Sequence, residues 1–167
     1  MAASKIKQSK QIENILRYSL FSAFGFLLLT IIITQFNQSG QSFAEDSVIT
    51  VYKSPTCGCC KNWITHLEEN GFKVKAIDSS NLSQIKSQAG IPSGAGSCHT
   101  AFIDNYVIEG HVPANDIKKL LTEKRAVAGL TVPGMPMGSP GMEGGRVDRY
   151  SVYEFDKQGQ LNEVNRY

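Results

Sequence analysis

Three of the four cysteines fall in Cys57-Gly58-Cys59-Cys60, and the fourth is Cys98. Sulfur packed this tightly points to two kinds of chemistry, attack on disulfides and the binding of soft metals. Both use thiolate, which is stabilised where free backbone N–H groups and the positive end of a helix dipole meet. The segment sits between a β-branched run and an apolar helical stripe, so its sulfurs stand at such a helix tip and should titrate low. Cys60 opens the stripe continued by Ile64 and Leu67 and should point inward, leaving Cys57 and Cys59 nearer solvent. A purely structural pair of cross-links is the plain alternative. It fits poorly, because adjacent Cys59 and Cys60 would close only a tiny strained ring that constrains almost no chain entropy. A domain of about 120 residues also builds a core without staples.

Imidazole and thioether donors accompany the thiols. His99 follows Cys98 directly, and His111 closes Glu109-Gly110-His111. Both lie at element ends, where a ring is free to act as a ligand. His66 lies within a helix and reads as structural. The run from Gly129 to Gly145 holds six glycines, three prolines and every methionine except the initiator, namely Met135, Met137 and Met142. A long segment without periodicity is either functional or disordered, and disorder predicts polar filler rather than three thioethers. Thiolate, imidazole and thioether together suit Cu(I). Zinc would be satisfied by cysteine and histidine and has little use for methionine.

These donors need elements to hold them. Val48 to Tyr52 is a short β-branched strand, broken by Pro55 and Gly58. Trp63, Ile64 and Leu67 recur at helical spacing from Cys60 onward, and the helix ends at Asn70-Gly71. Phe72 to Ile77 reads as a second strand, and Leu82, Ile85 and Ala89 mark a modest helix stopping at Gly90. His99 to Ile103 and Tyr106 to Ile108 form a hairpin about Asp104-Asn105. Pro113 opens a helix with Ile117, Leu120 and Leu121 inward. Tyr150 to Phe155 and Leu161 to Tyr167 make a terminal hairpin. Strand, helix, strand, helix, hairpin, helix is the order of a thioredoxin-like α/β domain, a mixed sheet flanked by helices. Here it carries a long Gly/Pro/Met loop and a C-terminal β-hairpin.

The 167 residues are 41% hydrophobic and 19% charged, which excludes collagenous and wholly disordered chains. The net charge of +2 is unevenly placed. Lys5, Lys7, Lys10 and Arg17 precede a charge-free apolar run, Tyr18 to Thr34, while residues 45–167 are nearly neutral. That balance leaves no electrostatic footprint for nucleic acid. Basic residues, an apolar run and then a polar stretch ending in Ser42-Phe43-Ala44 form the layout of a signal peptide. The run is also near the lower limit for a spanning helix, so residues 1–44 are a signal peptide or an N-terminal membrane anchor. Either way residues 45–167 are expected outside the cytoplasm, touching the inner membrane only through that segment if it is uncleaved.

Four blocks in order resemble the signature of a bacterial family of metal-binding proteins that includes the CopG copper-resistance proteins. They are Tyr52-Lys-Ser-Pro-Thr-Cys-Gly-Cys-Cys60, Ser97-Cys-His-Thr-Ala101, Glu109-Gly-His-Val-Pro-Ala114 and Gly134-Met-Pro-Met-Gly-Ser-Pro-Gly-Met-Glu143. The resemblance implies a thioredoxin-like fold in the periplasm or an equivalent compartment. It also implies copper held by clustered cysteines, in some members as a multinuclear cluster, and a role in copper tolerance through interconversion of Cu(I) and Cu(II). By position, Cys57, Cys59, Cys60 and Cys98 become the sulfur ligands. His111, the loop methionines and His99 are the completing candidates. Copper ions, with copper-export or copper-chaperone proteins, are the partners implied.

A second function class stays open, a thiol–disulfide oxidoreductase with Cys57 as nucleophile, Cys60 as resolving thiol and Ile91-Pro92 as the cis-proline beside the site. Cys59 then offers a competing sulfur, and the methionine loop has no part. Arsenate-reductase-like chemistry would want an anion-binding arginine, and Arg125 is distant in sequence. An interaction module with an incidental disulfide leaves the density of cysteine unexplained.

Overall fold

The computed structural model describes residues 47–167. The signal or anchor segment expected over residues 1–44 lies outside the described residues. Among the described residues no helix is long and apolar enough to cross a membrane.

Strand β1 (Val48–Lys53) leads into helix α1 (Gly58–Glu69), then β2 (Lys73–Asp78) and α2 (Leu82–Gln88). The hairpin β3 (Thr100–Ile103) and β4 (Tyr106–Glu109) follows, then α3 (Ala114–Glu123), β5 (Gly129–Thr131), β6 (Ser151–Phe155) and β7 (Leu161–Arg166). The seven strands form one mixed sheet in the order β2-β1-β3-β4-β5-β6-β7. Pairs β1/β2 and β4/β5 are parallel, and the other four pairs are antiparallel.

Side-chain alternation sorts the two faces. Ile49 and Val51 of β1, Ala101 and Ile103 of β3 and Ile108 of β4 join Trp63 and Leu67 of α1 and Ile117 and Leu120 of α3 in one buried cluster. The apolar spacing read from the sequence is therefore the spacing of the face that α1 and α3 bury. Lys86 of α2 instead reaches Thr100 and Glu109, whose positions alternate with those core residues.

The segment after Gly129 departs from expectation. Gly129–Thr131, read as the start of a structureless loop, is a fully buried strand between β4 and β6. Three residues buried on both sides carry no alternation to recognise. The glycine is required there, since a Cβ at position 129 would lie 1.9 Å from the Val107 carbonyl oxygen. Beyond it the methionine segment is organised by its own backbone bonds. Gly138 N–H donates to the Met142 carbonyl at 3.0 Å, Met142 N–H to Ser139 at 2.8 Å and Asp148 N–H to Met137 at 2.8 Å.

His66 has the structural role its position suggests. Pro113 offers α3 no side-chain cap, and His66 Nε2 accepts the Ala114 N–H at 3.1 Å instead. Burial is the main cause holding the imidazole pKa below its ordinary 6.5. Protonation would remove the accepting lone pair. The stabilisation is therefore complete above about pH 6.5 and is lost as pH falls through the lower folded value. His66→Ala should cost about 0.5–1 kcal/mol at neutral pH. Urea unfolding should show the wild-type advantage shrinking at about pH 5.

Candidate metal centre

The chain turns sharply after β1, with Cys57 N–H donating to the Ser54 carbonyl at 3.1 Å, so that Cys57 becomes the N-cap of α1. Its sulfur accepts the Cys60 N–H at 3.3 Å, and the helix tip is thereby aimed at sulfur as the sequence led one to expect. Cys60 is fully buried, while Cys57 and Cys59 are half-buried. Cys98 arrives from the segment before β3. Its Sγ lies 3.5 Å from that of Cys60 and 4.0 Å from that of Cys59, and Cys59 Sγ is 3.5 Å from Cys57 Sγ. All four sulfurs lie within 4.8 Å of one another.

The cluster holds the pair of sulfurs that the oxidoreductase reading names, Cys57 and Cys60, in covalent contact. Their disulfide leaves Cys59 and Cys98 free. The pairing weighed and dismissed on ring strain was Cys59 with Cys60. The bond that forms spans one helical turn, where two side chains share a face.

Both candidate histidines converge on Cys98. His111 Nε2 is 3.0 Å from its sulfur and His99 Nδ1 is 3.3 Å away. These three donor atoms form a second close group that shares Cys98 with the first. His111 Nδ1 faces the Pro140 carbonyl at 2.7 Å, which fixes Nδ1 as the protonated nitrogen and turns Nε2, with its lone pair, toward sulfur. His99 is fully buried, its ring 4.3 Å from that of Trp63 and 5.0 Å from that of His111 between centroids, and its Nε2 has no hydrogen-bond partner among the described residues. Burial pushes both imidazoles below their ordinary pKa, His99 well below, so both are neutral at neutral pH. Neutral imidazole is the ligating form. Burial, followed by the neighbouring Cys59, raises the Cys98 thiol to about 12. A soft cation entering there displaces a proton.

The loop meets the cluster through backbone. A Cβ on Gly141 would lie 2.6 Å from Trp63 N and 2.7 Å from the Cys59 carbonyl oxygen, so this turn is pressed onto the first turn of α1. Pro140 beside it is the His111 partner, and Met142 follows it. Met142 and Met137 are half-buried, while Met135 is exposed. The structure thus gathers Cys57, Cys59, Cys60, Cys98, His99 and His111 closely, while the three methionines differ in exposure.

Two features bear on the alternatives. Every peptide bond among the described residues is trans, so Ile91-Pro92 is not the cis-proline of the oxidoreductase reading. Arg125 is paired with Glu154 at 2.6 Å.

Sequence reasoning passed over Glu109 as anything but part of a signature block. It is fully buried and bonded to Lys86, Ser97 and Thr100 around the segment that carries Cys98. The available signal was a carboxylate in a strand next to Ile108, a position that demands a partner once buried.

A family model described as "Protein of unknown function, DUF411" matches residues 95–142, which include Cys98, both candidate histidines and the methionines. Two solved structures are similar over most of the described chain. One, titled copper resistance protein copG form 2, is 49% identical and covers 72% of this chain and 98% of its own, with a TM-score of 0.69. The other, form 1 of the same title, is 50% identical and covers 72% and 96%, also with a TM-score of 0.69. No curated protein matches.

Proposed function

The chain belongs to the family of the copper resistance proteins CopG, and from that premise we propose that it is an exported copper-binding protein serving copper tolerance. Cu(I) is its cargo, held by Cys57, Cys59, Cys60 and Cys98 with His111 and His99 completing the set. The observation that carries this reading is the convergence of three sulfurs and two neutral imidazoles on the Cys98 sulfur. Soft sulfur with neutral imidazole is a donor set that fits Cu(I) better than any hard cation. Loading on all four sulfurs first requires a dithiol reductant, which opens the Cys57–Cys60 bridge to two thiols and is itself oxidised to a disulfide. The strand order and the sulfurs at the end of β1 support a thioredoxin-like description. Family membership extends the proposal to a multinuclear cluster, to Cu(I)/Cu(II) interconversion and to a periplasmic site for residues 45–167. Copper-export or copper-chaperone proteins are the partners such a role calls for.

Anaerobic loading of the reduced chain with Cu(I) tests the proposal. Several bound copper ions and a sulfur-to-copper charge-transfer band are expected. The Cys57–Cys60 bond favours one other reading, thiol–disulfide exchange, with Cys57 the sulfur nearer solvent. A chain that emerges free of metal yet reduces insulin disulfides rapidly would select it. A second measurement concerns the loop. Truncating Met135, Met137 and Met142 together to alanine should weaken Cu(I) retention more than Zn(II) retention, because thioether is a ligand for soft cations. Equal losses for the two metals would remove thioether from the site.

A further inference from the structure

We propose that Glu109 is a positioning residue for this centre: acting through Ser97, it holds Cys98 on one side and the root of the methionine loop on the other. The copper consequence rests on the proposed function, whereas the placement of Cys98 does not.

Glu109 ends β4, directly across from Thr100 of β3, and is fully buried. Its Oε2 accepts the Thr100 hydroxyl at 2.7 Å. Its Oε1 accepts the Lys86 ammonium at 2.5 Å and the Ser97 backbone N–H at 2.6 Å. Lys86 also donates to Thr100 Oγ1 at 3.0 Å, which closes the network. A buried carboxylate is tolerated only when its charge is matched and its lone pairs are filled. Three donors from α2, β3 and the Cys98 segment fill them here.

Ser97 passes this anchoring in two directions. Along the chain the next residue is Cys98, which makes the closest approaches to Cys60 and His111. Across space, Ser97 Oγ donates to the Gly134 carbonyl, and Gly134 N–H donates to the Gly96 carbonyl at 3.0 Å. Met135 comes directly after Gly134. Gly110, beside Glu109, leaves room for Ser97, since a Cβ there would lie 2.5 Å from Ser97 Cβ. One charge-matched carboxylate therefore sets the position of a central sulfur and of the first methionine together.

The test compares the full chain with Glu109→Ala and Glu109→Gln, all reduced and free of metal. Alkylation of Cys98 is read by mass spectrometry against Cys59 as internal reference. In Glu109→Ala, Cys98 should react about tenfold faster, the factor expected when a charge-assisted hydrogen bond holding a segment closed is lost. Glu109→Gln keeps an acceptor for Ser97 and should stay within about twofold of wild type, a rescue that a general loss of packing would not give. After Cu(I) loading, the charge-transfer band should weaken in Glu109→Ala and persist in Glu109→Gln. Wild-type Cys98 reactivity in a folded Glu109→Ala, or no rescue by glutamine, would overturn the proposal. If Glu109→Ala does not fold, hydrogen exchange at the Ser97 amide of the wild-type chain decides. Protection equal to that of the β3–β4 amides supports the clamp, and exchange at open-loop rates overturns it. If wild type takes up no copper, the copper reading fails while the alkylation result still judges the clamp.

Discussion

Replacing Cys98 with serine is expected to abolish most of the Cu(I) capacity of the reduced chain and to weaken what remains by more than about a hundredfold. That figure exceeds the loss from removing a mere outer-shell partner, which reaches about a hundredfold at most. The reason is geometric. Cys98 Sγ alone lies close to Cys59, Cys60, His99 and His111 at once, so it belongs to both groups of donors. Serine keeps the volume nearly unchanged but presents a hard oxygen, a poor ligand for a soft monovalent cation. Copper retained against a competing Cu(I) chelator is the measurement, with unfolding by urea as the control for fold. If Cys98→Ser retains copper as wild type does, the site is centred on the α1 tip and not on Cys98.

The second large effect is on Gly141→Ala. This residue adopts a φ of +83°, and its missing Cβ is what lets the loop lie on the backbone of Cys59 and Trp63. Alanine meets a left-handed backbone penalty and two backbone atoms that have no rotamer by which to yield. Together these should cost roughly 2–4 kcal/mol, or the loop lifts from α1 to avoid the clash. In the first case the melting temperature falls by roughly 8–16 °C. In the second, stability is kept while His111 loses its Pro140 partner and Cu(I) retention drops. Calorimetry and the chelator competition separate the two outcomes. An alanine variant equal to wild type in both would show that the contact at Gly141 does not hold the loop against α1.

The cysteine cluster was legible because a helix tip and a four-residue spacing leave sulfur few places to go. Trp63 and Leu67 revealed the buried face of α1, and the spacing of Ile117 and Leu120 did the same for α3. What escaped had no local pattern. Gly129–Thr131 is too short to show a period, and its pairing with β4 and β6 is wholly non-local. The Lys86–Glu109 pair joins residues from α2 and β4, and nothing near either residue announces the other. The Cys57–Cys60 bond, by contrast, joins the two sulfurs that the oxidoreductase reading had paired from their spacing. Nor did composition reveal that Met135 would lie open to solvent while Met137 and Met142 are half-covered.

Strand β5 ends at Thr131, β6 begins at Ser151, and the two strands run side by side with Thr131 opposite Tyr153. The methionine segment therefore departs and returns across a gap of one strand spacing, about 4.8 Å. A stretch mounted in this way is an exchangeable cassette. Versions that keep the Gly134, Pro140 and Gly141 contacts can differ in length or donor content between the same two posts without shifting the register of any strand. Under the proposed function, donor content would then be rewritten in one segment while the sheet beneath it stays as it is.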